Sequence, residues 1–375
     1  MSDTYRRYHA IKRAIMHWYQ PRLTGHRERH LNTLVAMMCG LAGSQRAHLS
    51  AIADHAPCGA ATQESLIARF RRWLKDDAQT LDRWFLPVAQ ALLETLARQP
   101  LVLVMDGSVV GRGCIALMVS VIYHGRALPL VWIVIRGSKG HFPQAIHCAL
   151  VAQLQLILPP TATVIFLGDG EFDGTELQAT LRHLGWQYIC RTAPNLCFTA
   201  YGLERHIRDL QPARGEALAV TPAWMTSEAY GPISLLAVWD AAYDAPIYLV
   251  TNMSNVDHAL HHYRQRAHIE TFFSDQKSRG FHLHKSHLSD PARLTRLLIA
   301  SCLAYLWIVY LGVCAVREGW LKQLHRQDRC DLSLFRLGLR LLARCLKDDI
   351  PIPPGLLVPA MLPGQPVRRW LRYAA

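Results

Sequence analysis

The sequence lacks most of the short signatures that would assign a function directly. Its ten cysteines form no C-x-x-C pair and lie mostly in apolar surroundings, which favours buried, reduced thiols over disulfides or a zinc site. It contains no Walker-type phosphate loop and no nucleophile elbow, so neither a P-loop nucleotidase nor an α/β-hydrolase is indicated. Internal repeats and low-complexity tracts are also missing. We therefore expect a folded cytoplasmic protein with another chemistry.

Negative charge is scarce. The 375 residues include 28 Asp and Glu against 41 Lys and Arg, a formal net charge of +13. The cations are spread along the chain rather than collected in one tail. This distribution predicts an extended anionic partner, most simply nucleic acid and a nucleoid-associated protein, with an anionic membrane surface as the alternative. A hydrophobic content of 51% is enough to bury a substantial core in more than one structural unit.

Long apolar runs are rare as well. One, residues 297–316, has about the length that spans a bilayer, but Ser301, Cys302 and Gly312 interrupt it. A lone run of this kind is more typical of a central core helix, so we predict a buried helix and no membrane partner. Residues 1–7 lack the apolar centre of a signal peptide.

Residues 1–98 are predicted to be helical and to form an N-terminal DNA-binding region. Four cations surround Trp73, with Phe70 nearby: Arg69, Arg71, Arg72 and Lys75. That mixture suits a helix that presents cations to phosphate and buries its aromatic rings. An all-helical packing domain without a DNA-binding role is the alternative.

From residue 99 the pattern becomes that of an α/β protein. Apolar β-type runs at 101–105, 114–123 and 127–135 predict an antiparallel meander, and later strands near 162–167 and 186–191 should enter by helical crossovers. The predicted units are a first part of the core at 99–195, a β insertion at 196–252, a second part of the core at 253–320 and a helical C-terminal region at 321–375.

Two of the predicted buried strands end in an aspartate. Asp106 follows the first strand directly, and Asp169 follows the fourth. The carboxyl ends of neighbouring strands are where sites form in open α/β sheets, although Asp before Gly is also ordinary turn chemistry. Glu171 and Asp173 lie nearby, and Asp169 is preferred because it comes immediately after the strand.

A third candidate group lies in residues 263–277, which contain no Pro or Gly and have apolar positions at helical spacing. At 100° per residue, one narrow stripe of such a helix carries Tyr263, Arg266, Glu270 and Lys277. The stripe suits either an exposed helix with an ordinary Arg266–Glu270 ion pair or a site that handles phosphate and a divalent metal.

Packing of this helix near the strand ends would bring Asp106, Asp169 and Glu270 together. Three close carboxylates repel one another unless a cation neutralises them, and hard oxygen ligands suit Mg²⁺ or Mn²⁺. Two such ions would support in-line displacement at a phosphodiester by water or a 3′-hydroxyl. Arg266 and Lys277, together with Tyr263, would hold neighbouring phosphates.

The spacing Tyr263-x2-Arg266-x3-Glu270-x6-Lys277 resembles, without a gap, the Y-R-E-K signature of DDE transposases of the insertion sequence four family. The blocks at residues 104–108 and 167–172 look like that family's first and second aspartate regions. The resemblance covers roughly residues 100–300. It implies a ribonuclease H-like mixed sheet with a β insertion before the helix that carries the glutamate.

The resemblance also implies a function: Mg²⁺-dependent strand cleavage and strand transfer at insertion-sequence ends, that is, cut-and-paste DNA transposition. The implied partners are double-stranded DNA with terminal inverted repeats, target DNA and a second copy of the chain on paired ends. The implied metal ligands are Asp106, Asp169 and Glu270, and the implied DNA contacts are Tyr263, Arg266 and Lys277.

One position departs from the family pattern. Members that cut through a DNA hairpin often carry a Trp just before the last insertion strand's Y-L-V-T run, where this chain has Ile247. Tyr248 or Trp239 offers another aromatic face for stacking a base. The hairpin route is therefore left open.

Other readings of the sequence remain. A ribonuclease H-like nuclease without strand transfer and a catalytically inactive DNA-binding protein are the alternative functions. His258 and His262 lie one helical turn apart, as zinc ligands often do, but no third ligand is evident, so solvated helix histidines are expected.

Overall fold

The computed structural model describes residues 1–19, 25–137, 142–325 and 331–362. Within these residues the N-terminal part is helical, as predicted. Its α-helices are α1 (Asp3–Ile15), α2 (His26–Ser44), α3 (Leu49–Asp54), α4 (Gln63–Lys75), α5 (Leu81–Trp84) and α6 (Leu86–Leu96). The α4 helix buries Phe70 and Trp73, while its four cations are exposed, as the sequence predicts.

The α/β part begins at the predicted position. Its elements are β1 (Leu101–Gly111), β2 (Cys114–Tyr123), β3 (Arg126–Arg136), α7 (Gln144–Gln155), β4 (Val164–Gly168), α8 (Thr175–His183) and β5 (Gln187–Thr192). The β insertion supplies β6 (Cys197–Ala200), β7 (Leu203–His206), β8 (Ala217–Met225), β9 (Tyr230–Val238) and β10 (Ile247–Thr251). The remaining helices are α9 (Val256–Tyr263), α10 (His268–Gln276), α11 (Pro291–Arg317), α12 (Leu321–Leu324) and α13 (Leu334–Lys347).

All ten of these strands form one mixed sheet in the order β3-β2-β1-β4-β5-β10-β9-β8-β6-β7. The strands β1, β2 and β3 pair antiparallel, whereas β4 and β5 run parallel to β1 after the helical crossovers α7 and α8. The mixed α/β fold with helical ends is therefore confirmed, and its first five strands have the order expected for a ribonuclease H-like core.

The β insertion lies within the predicted residues, contains five strands and continues the main sheet. Its last strand, β10, pairs antiparallel with β5, so the insertion widens the sheet rather than standing beside it. The sequence did not indicate β6 and β7. Each has only four residues, and β7 is mostly exposed, so neither produces a readable apolar alternation.

The first aspartate lies within a strand rather than at its end. Beyond Asp106, β1 continues to Gly111 because it keeps β2 as a partner, whereas β4 ends at Gly168. The parallel register pairs Leu101 with Val164, and the same offset carries Asp106 level with Asp169. The two carboxylates are therefore neighbours across adjacent strands even though only one follows a strand end.

The segment predicted as one helix is divided. A 3-10 helix, Arg264–Ala267, separates α9 from α10, and a 3-10 helix advances fewer residues per turn than an α-helix. Lys277 follows α10 with non-helical dihedral angles, φ −105° and ψ −114°. The single stripe drawn at 100° per residue is therefore wrong at its C-terminal end.

The long apolar run forms the central helix. Of the helices in the described ranges, α11 is the one long and apolar enough to cross a membrane, and 94% of its most apolar window is buried. It packs against α2, α4, α13 and β3. A Cβ atom at Gly312 would lie 1.9 Å from the Leu334 carbonyl oxygen, so the glycine permits backbone contact between α11 and α13.

Several sequence features lie partly outside the described residues. Nine of the cysteines are described, all of them free and six of them buried. Cys330 lies outside the described ranges, as do residues 138–141 and the last part of the predicted C-terminal region, residues 363–375.

Candidate active site

The three predicted acids meet at a single arginine. Arg266 places Nη1 3.4 Å from Asp106 Oδ2 and 3.8 Å from Asp169 Oδ2, and its Nη2 lies 2.8 Å from Glu270 Oε1. The convergence that the sequence predicted from two strands and a helical segment is therefore present in the folded chain.

Local backbone bonds orient the two aspartates. The Gly107 amide donates to Asp106 Oδ1 at 2.7 Å, and the Glu171 amide donates to Asp169 Oδ1 at 3.0 Å. In each carboxylate one oxygen is held by a backbone amide, from β1 for Asp106 and from the turn after β4 for Asp169, while Oδ2 faces Arg266. The two Oδ2 atoms thus point toward the same place, and hydrogen bonds to the other oxygen orient them as they would orient metal ligands.

The site runs from the protein interior to solvent. The side chain of Asp106 is 16% exposed, that of Asp169 34% and that of Glu270 60%. Because exposure increases toward Glu270, a large ligand would approach from the side of α10.

Burial perturbs the innermost acid. Burial and, after it, the neighbouring Asp169 raise the pKa of Asp106 to about 6, although Arg266 acts in the opposite direction. One guanidinium faces three carboxyl groups, so the fully ionised cluster carries an excess of two negative charges. A divalent cation would balance that excess.

The donor atoms fit Mg²⁺ or Mn²⁺ by their chemistry, since all are carboxylate oxygens. They surround Arg266 and are not close enough to one another to form a ready ligand set: among the described residues, no group of three or more His, Cys, Asp or Glu side chains is placed to hold a metal ion. Arg266 itself occupies the point where the acids converge.

The other two predicted site residues differ in position. Tyr263, at the end of α9, is 8% exposed, and burial raises its pKa to about 12 while Arg266 and Arg191 lower it. It therefore lies beside the acidic cluster. Lys277 lies beyond α10, where its charge, after burial and Lys285, lowers the pKa of His284. This places Lys277 close to the loop that follows α10.

A buried histidine that the sequence analysis missed lies beside the turn that carries the second aspartate. His147 on α7 is 1% exposed, and its Nε2 lies 3.7 Å from Glu171 Oε1. Burial lowers its pKa to about 4, so the ring is neutral at pH 7, and neither ring nitrogen has a hydrogen-bond partner among the described residues. Glu171 instead accepts a hydrogen bond from the Phe142 amide. That hydrogen bond braces the turn that carries Asp169, and no sequence motif marks His147.

The sequence analysis also missed an ion pair that holds α10, the helix that carries Glu270. Arg126 at the start of β3 places Nη1 3.0 Å from Asp275 Oδ2 on α10, and the Asp275 side chain is 4% exposed. Burial raises the pKa of Asp275 to about 6, and Arg126 is the largest opposing influence. The pair ties α10 to the edge of the sheet. No local pattern could have joined two residues that are 149 positions apart.

The fold and the site together define an α/β protein in which three carboxylates, one in β1, one directly after β4 and one on α10, surround a single arginine. The sequence model of the family described as Transposase DDE domain matches residues 98–307, more than half of the chain. The chain belongs to this family. Its finer assignment to the insertion sequence four family stays a prediction.

Comparison with solved structures gives weaker likenesses. The chain is similar to a piggyBac transposase in a synaptic complex with hairpin DNA, with 12% identity and a TM-score of 0.48 over 98% of this chain and 87% of that chain. It is also similar to human ENDOV, with 16% identity and a TM-score of 0.25 over 54% of this chain and 100% of that chain. No curated protein sequence matches. The family assignment therefore rests on the domain match.

Proposed function

We propose that this protein is a DNA transposase that cleaves strands at the ends of an insertion sequence and joins them to target DNA. The observation that carries the proposal is the convergence of Asp106, Asp169 and Glu270 on Arg266 in a chain of the Transposase DDE domain family. Cut-and-paste transposition is the reaction sequence that we infer for it.

The metal-binding residues in this proposal are the same three acids. Two Mg²⁺ ions, or Mn²⁺ in their place, would supply Lewis-acid stabilisation of the phosphodiester oxygens and an activated oxygen nucleophile. The protein contributes oxygen ligands that the backbone amides of Gly107 and Glu171 already orient.

The two cations of residues 263–277 that are proposed to contact DNA, Arg266 and Lys277, have different roles. Arg266 has five N–H donors, so it can bridge the carboxylates and still donate to a phosphate oxygen of the cleaved strand. The buried Tyr263 packs beside it and limits the directions in which the guanidinium can move. Lys277, on the far side of α10, would contact a phosphate farther along the same DNA.

The proposed partners follow from charge and reaction type. A net charge of +13 favours double-stranded DNA, here with terminal inverted repeats, together with target DNA. Joining two ends to one target calls for a homodimer on paired ends. A nucleoid-associated location in the cytoplasm fits these partners.

The test uses the DNA that flanks the coding region, where terminal inverted repeats would identify the substrate. Glu270→Gln should abolish Mg²⁺-dependent strand cleavage while leaving end binding intact. Glu94→Gln, which alters an exposed glutamate on α6, is the matched control and should cleave like the wild type. Full cleavage by the Glu270→Gln protein contradicts the proposal. A labelled 3′-hydroxyl end in the same assay distinguishes joining from cutting alone.

A further inference from the structure

A concave surface away from the three acids lies between the N-terminal helices and the loop after α10. Its volume is about 490 Å³. Arg46, His48 and Asp54 line one wall, in and just before α3, and His282, Lys285 and His287 line the other. We call this surface the basic groove. It is the place where the predicted DNA-binding region and the catalytic part of the chain face each other.

The two permanent cations of the basic groove, Arg46 and Lys285, are not paired directly with an acid in the part of the chain that the structure describes. Both are exposed. Burial, Lys285 and Arg46 all lower the pKa of His282, which shows that the cations of the two walls act on the same ring. Cations held this close repel one another, and a bound anion would relieve the repulsion.

The lining contains one acid, Asp54, which accepts a hydrogen bond from the Gln63 side chain at the start of α4. Its single negative charge offsets only one of the two permanent cations, Arg46 and Lys285. Lys277 extends the positive region, because its charge contributes to the lowered pKa of His284, after burial, Lys285 and His282. The positive surface therefore continues from the basic groove toward α10.

Specific contacts hold the two walls of the groove in place. Arg112 donates from Nη2 to His287 Nδ1 at 2.8 Å, and the His48 and His287 rings meet edge to face with centroids 5.1 Å apart. His282 and His287 have φ angles of +52° and +63°, a conformation that residues other than glycine rarely adopt. Strained backbone of this kind persists where the surroundings fix it, often at ligand sites.

The groove lies at a defined distance from the acids along one strand. Asp106 and Arg112 are separated by six residues of β1 and the turn that follows it, and the Arg112 amide donates to the Leu288 carbonyl at the groove. At about 3.3 Å per residue the separation is roughly 20 Å. Duplex DNA advances 3.4 Å per base pair, so a duplex that lies along β1 would span this distance in about six base pairs.

We propose that the basic groove binds backbone phosphates of duplex DNA about six base pairs from the cleaved phosphodiester. It would thereby hold the substrate between the N-terminal helices and the catalytic core. The inference rests on the proposed function for the nature of the substrate, but it concerns residues outside the three-carboxylate site. Phosphate contacts here would fix the position of the DNA without reading its sequence.

The experiment measures how salt affects binding of a duplex of about 30 base pairs and arbitrary sequence. Each lost phosphate contact reduces the slope of log K against log salt by about 0.9, so Arg46→Ala/Lys285→Ala should make it shallower by about 1.8. Affinity at 100 mM salt should fall roughly tenfold or more. The control is Lys322→Ala/Lys347→Ala, which removes the same charge from exposed lysines of α12 and α13.

The possible outcomes separate the two proposals. If the groove variant keeps the wild-type slope, or if the control loses as much, the groove inference is overturned and the transposase proposal stands. If the wild type binds no duplex at all, both are overturned. A single Lys285→Gln substitution should change the slope by about 0.9 and provides the same test if the double variant folds poorly.

Discussion

Two arginine–carboxylate clusters hold the same short helix, α10, and they are built differently. Arg126 pairs with one acid, Asp275, and both side chains are shielded, at 15% and 4% exposure. Arg266 faces three acids, of which Glu270 is 60% exposed. The first cluster balances its charge within the protein, whereas the second does not.

The pKa values express the same difference. Burial raises the pKa of both Asp106 and Asp275 to about 6. After burial, the largest influence on the pKa of Asp106 is another acid, Asp169, which raises it, while the largest on that of Asp275 is Arg126, which lowers it. Burial thus accompanies an internal anchor where the main partner is an arginine, and a site that favours a cation where the main partner is a carboxylate.

The largest expected effect tests the difference between the two clusters, and it is measured as cleavage of the DNA ends. Asp106→Asn should reduce Mg²⁺-dependent cleavage at least about a thousandfold, roughly 4 kcal/mol, because it removes a charged metal ligand. Asp275→Asn should leave cleavage within about tenfold when both proteins are assayed well below their unfolding temperatures. Equal losses in the two variants would mean that the anchor, and not only the three-carboxylate cluster, takes part in the chemistry.

The second effect concerns stability. Arg126→Ala leaves a buried carboxylate without its partner and should lower the free energy of unfolding by about 3–5 kcal/mol at pH 7. The folded-state pKa of Asp275, about 6, lies above the ordinary value of 3.8 for an aspartate, so folding favours the protonated form. The destabilisation from its charge is therefore present above pH 6 and fades as the pH falls toward 4.

Urea unfolding at pH 7 and at pH 5 measures this effect. The loss caused by Arg126→Ala should be smaller at pH 5, because removal of the arginine raises the pKa of Asp275 further. The control is Arg264→Ala, which breaks the exposed Arg264–Asp240 pair at 3.8 Å and should change stability by less than about 0.5 kcal/mol at either pH. A loss from Arg126→Ala that does not depend on pH would show that packing, and not charge, is what Arg126 provides.

The contrast also explains how much the sequence could predict. Asp106 and Asp169 were found because apolar runs precede them, and Glu270 because its neighbours are cations at helical spacing. The Arg126–Asp275 anchor could not be found, since it joins a hairpin turn to a helix without any local pattern. The continuation of β1 past Asp106 was hidden for a related reason, because it depends on pairing with β2 and not on its own residues.

The third effect is stabilisation by metal. An ion that binds only the folded state at a hundred times its Kd adds about 2.7 kcal/mol. Millimolar Mg²⁺ should therefore raise the unfolding temperature of the wild type relative to EDTA, as measured by scanning calorimetry. Asp275→Asn should retain the increase, and Asp106→Asn should lose most of it. An unchanged increase in Asp106→Asn would place the metal elsewhere.

The smallest expected effect is the stability of Glu270→Gln in EDTA. The Arg266–Glu270 pair is an i, i+4 contact with a carboxylate that is 60% exposed, and such pairs contribute about 0.3–0.5 kcal/mol. Arg266 would keep its contacts with Asp106 and Asp169, so the free energy of unfolding should fall by less than about 0.5 kcal/mol. Urea unfolding at pH 7 measures the change, with Arg126→Ala as the comparison. A loss above about 2 kcal/mol would make Glu270 a structural residue like Asp275 and would remove the distinction between the two clusters. A carboxylate whose removal abolishes cleavage but hardly affects folding is held in place for its ligand.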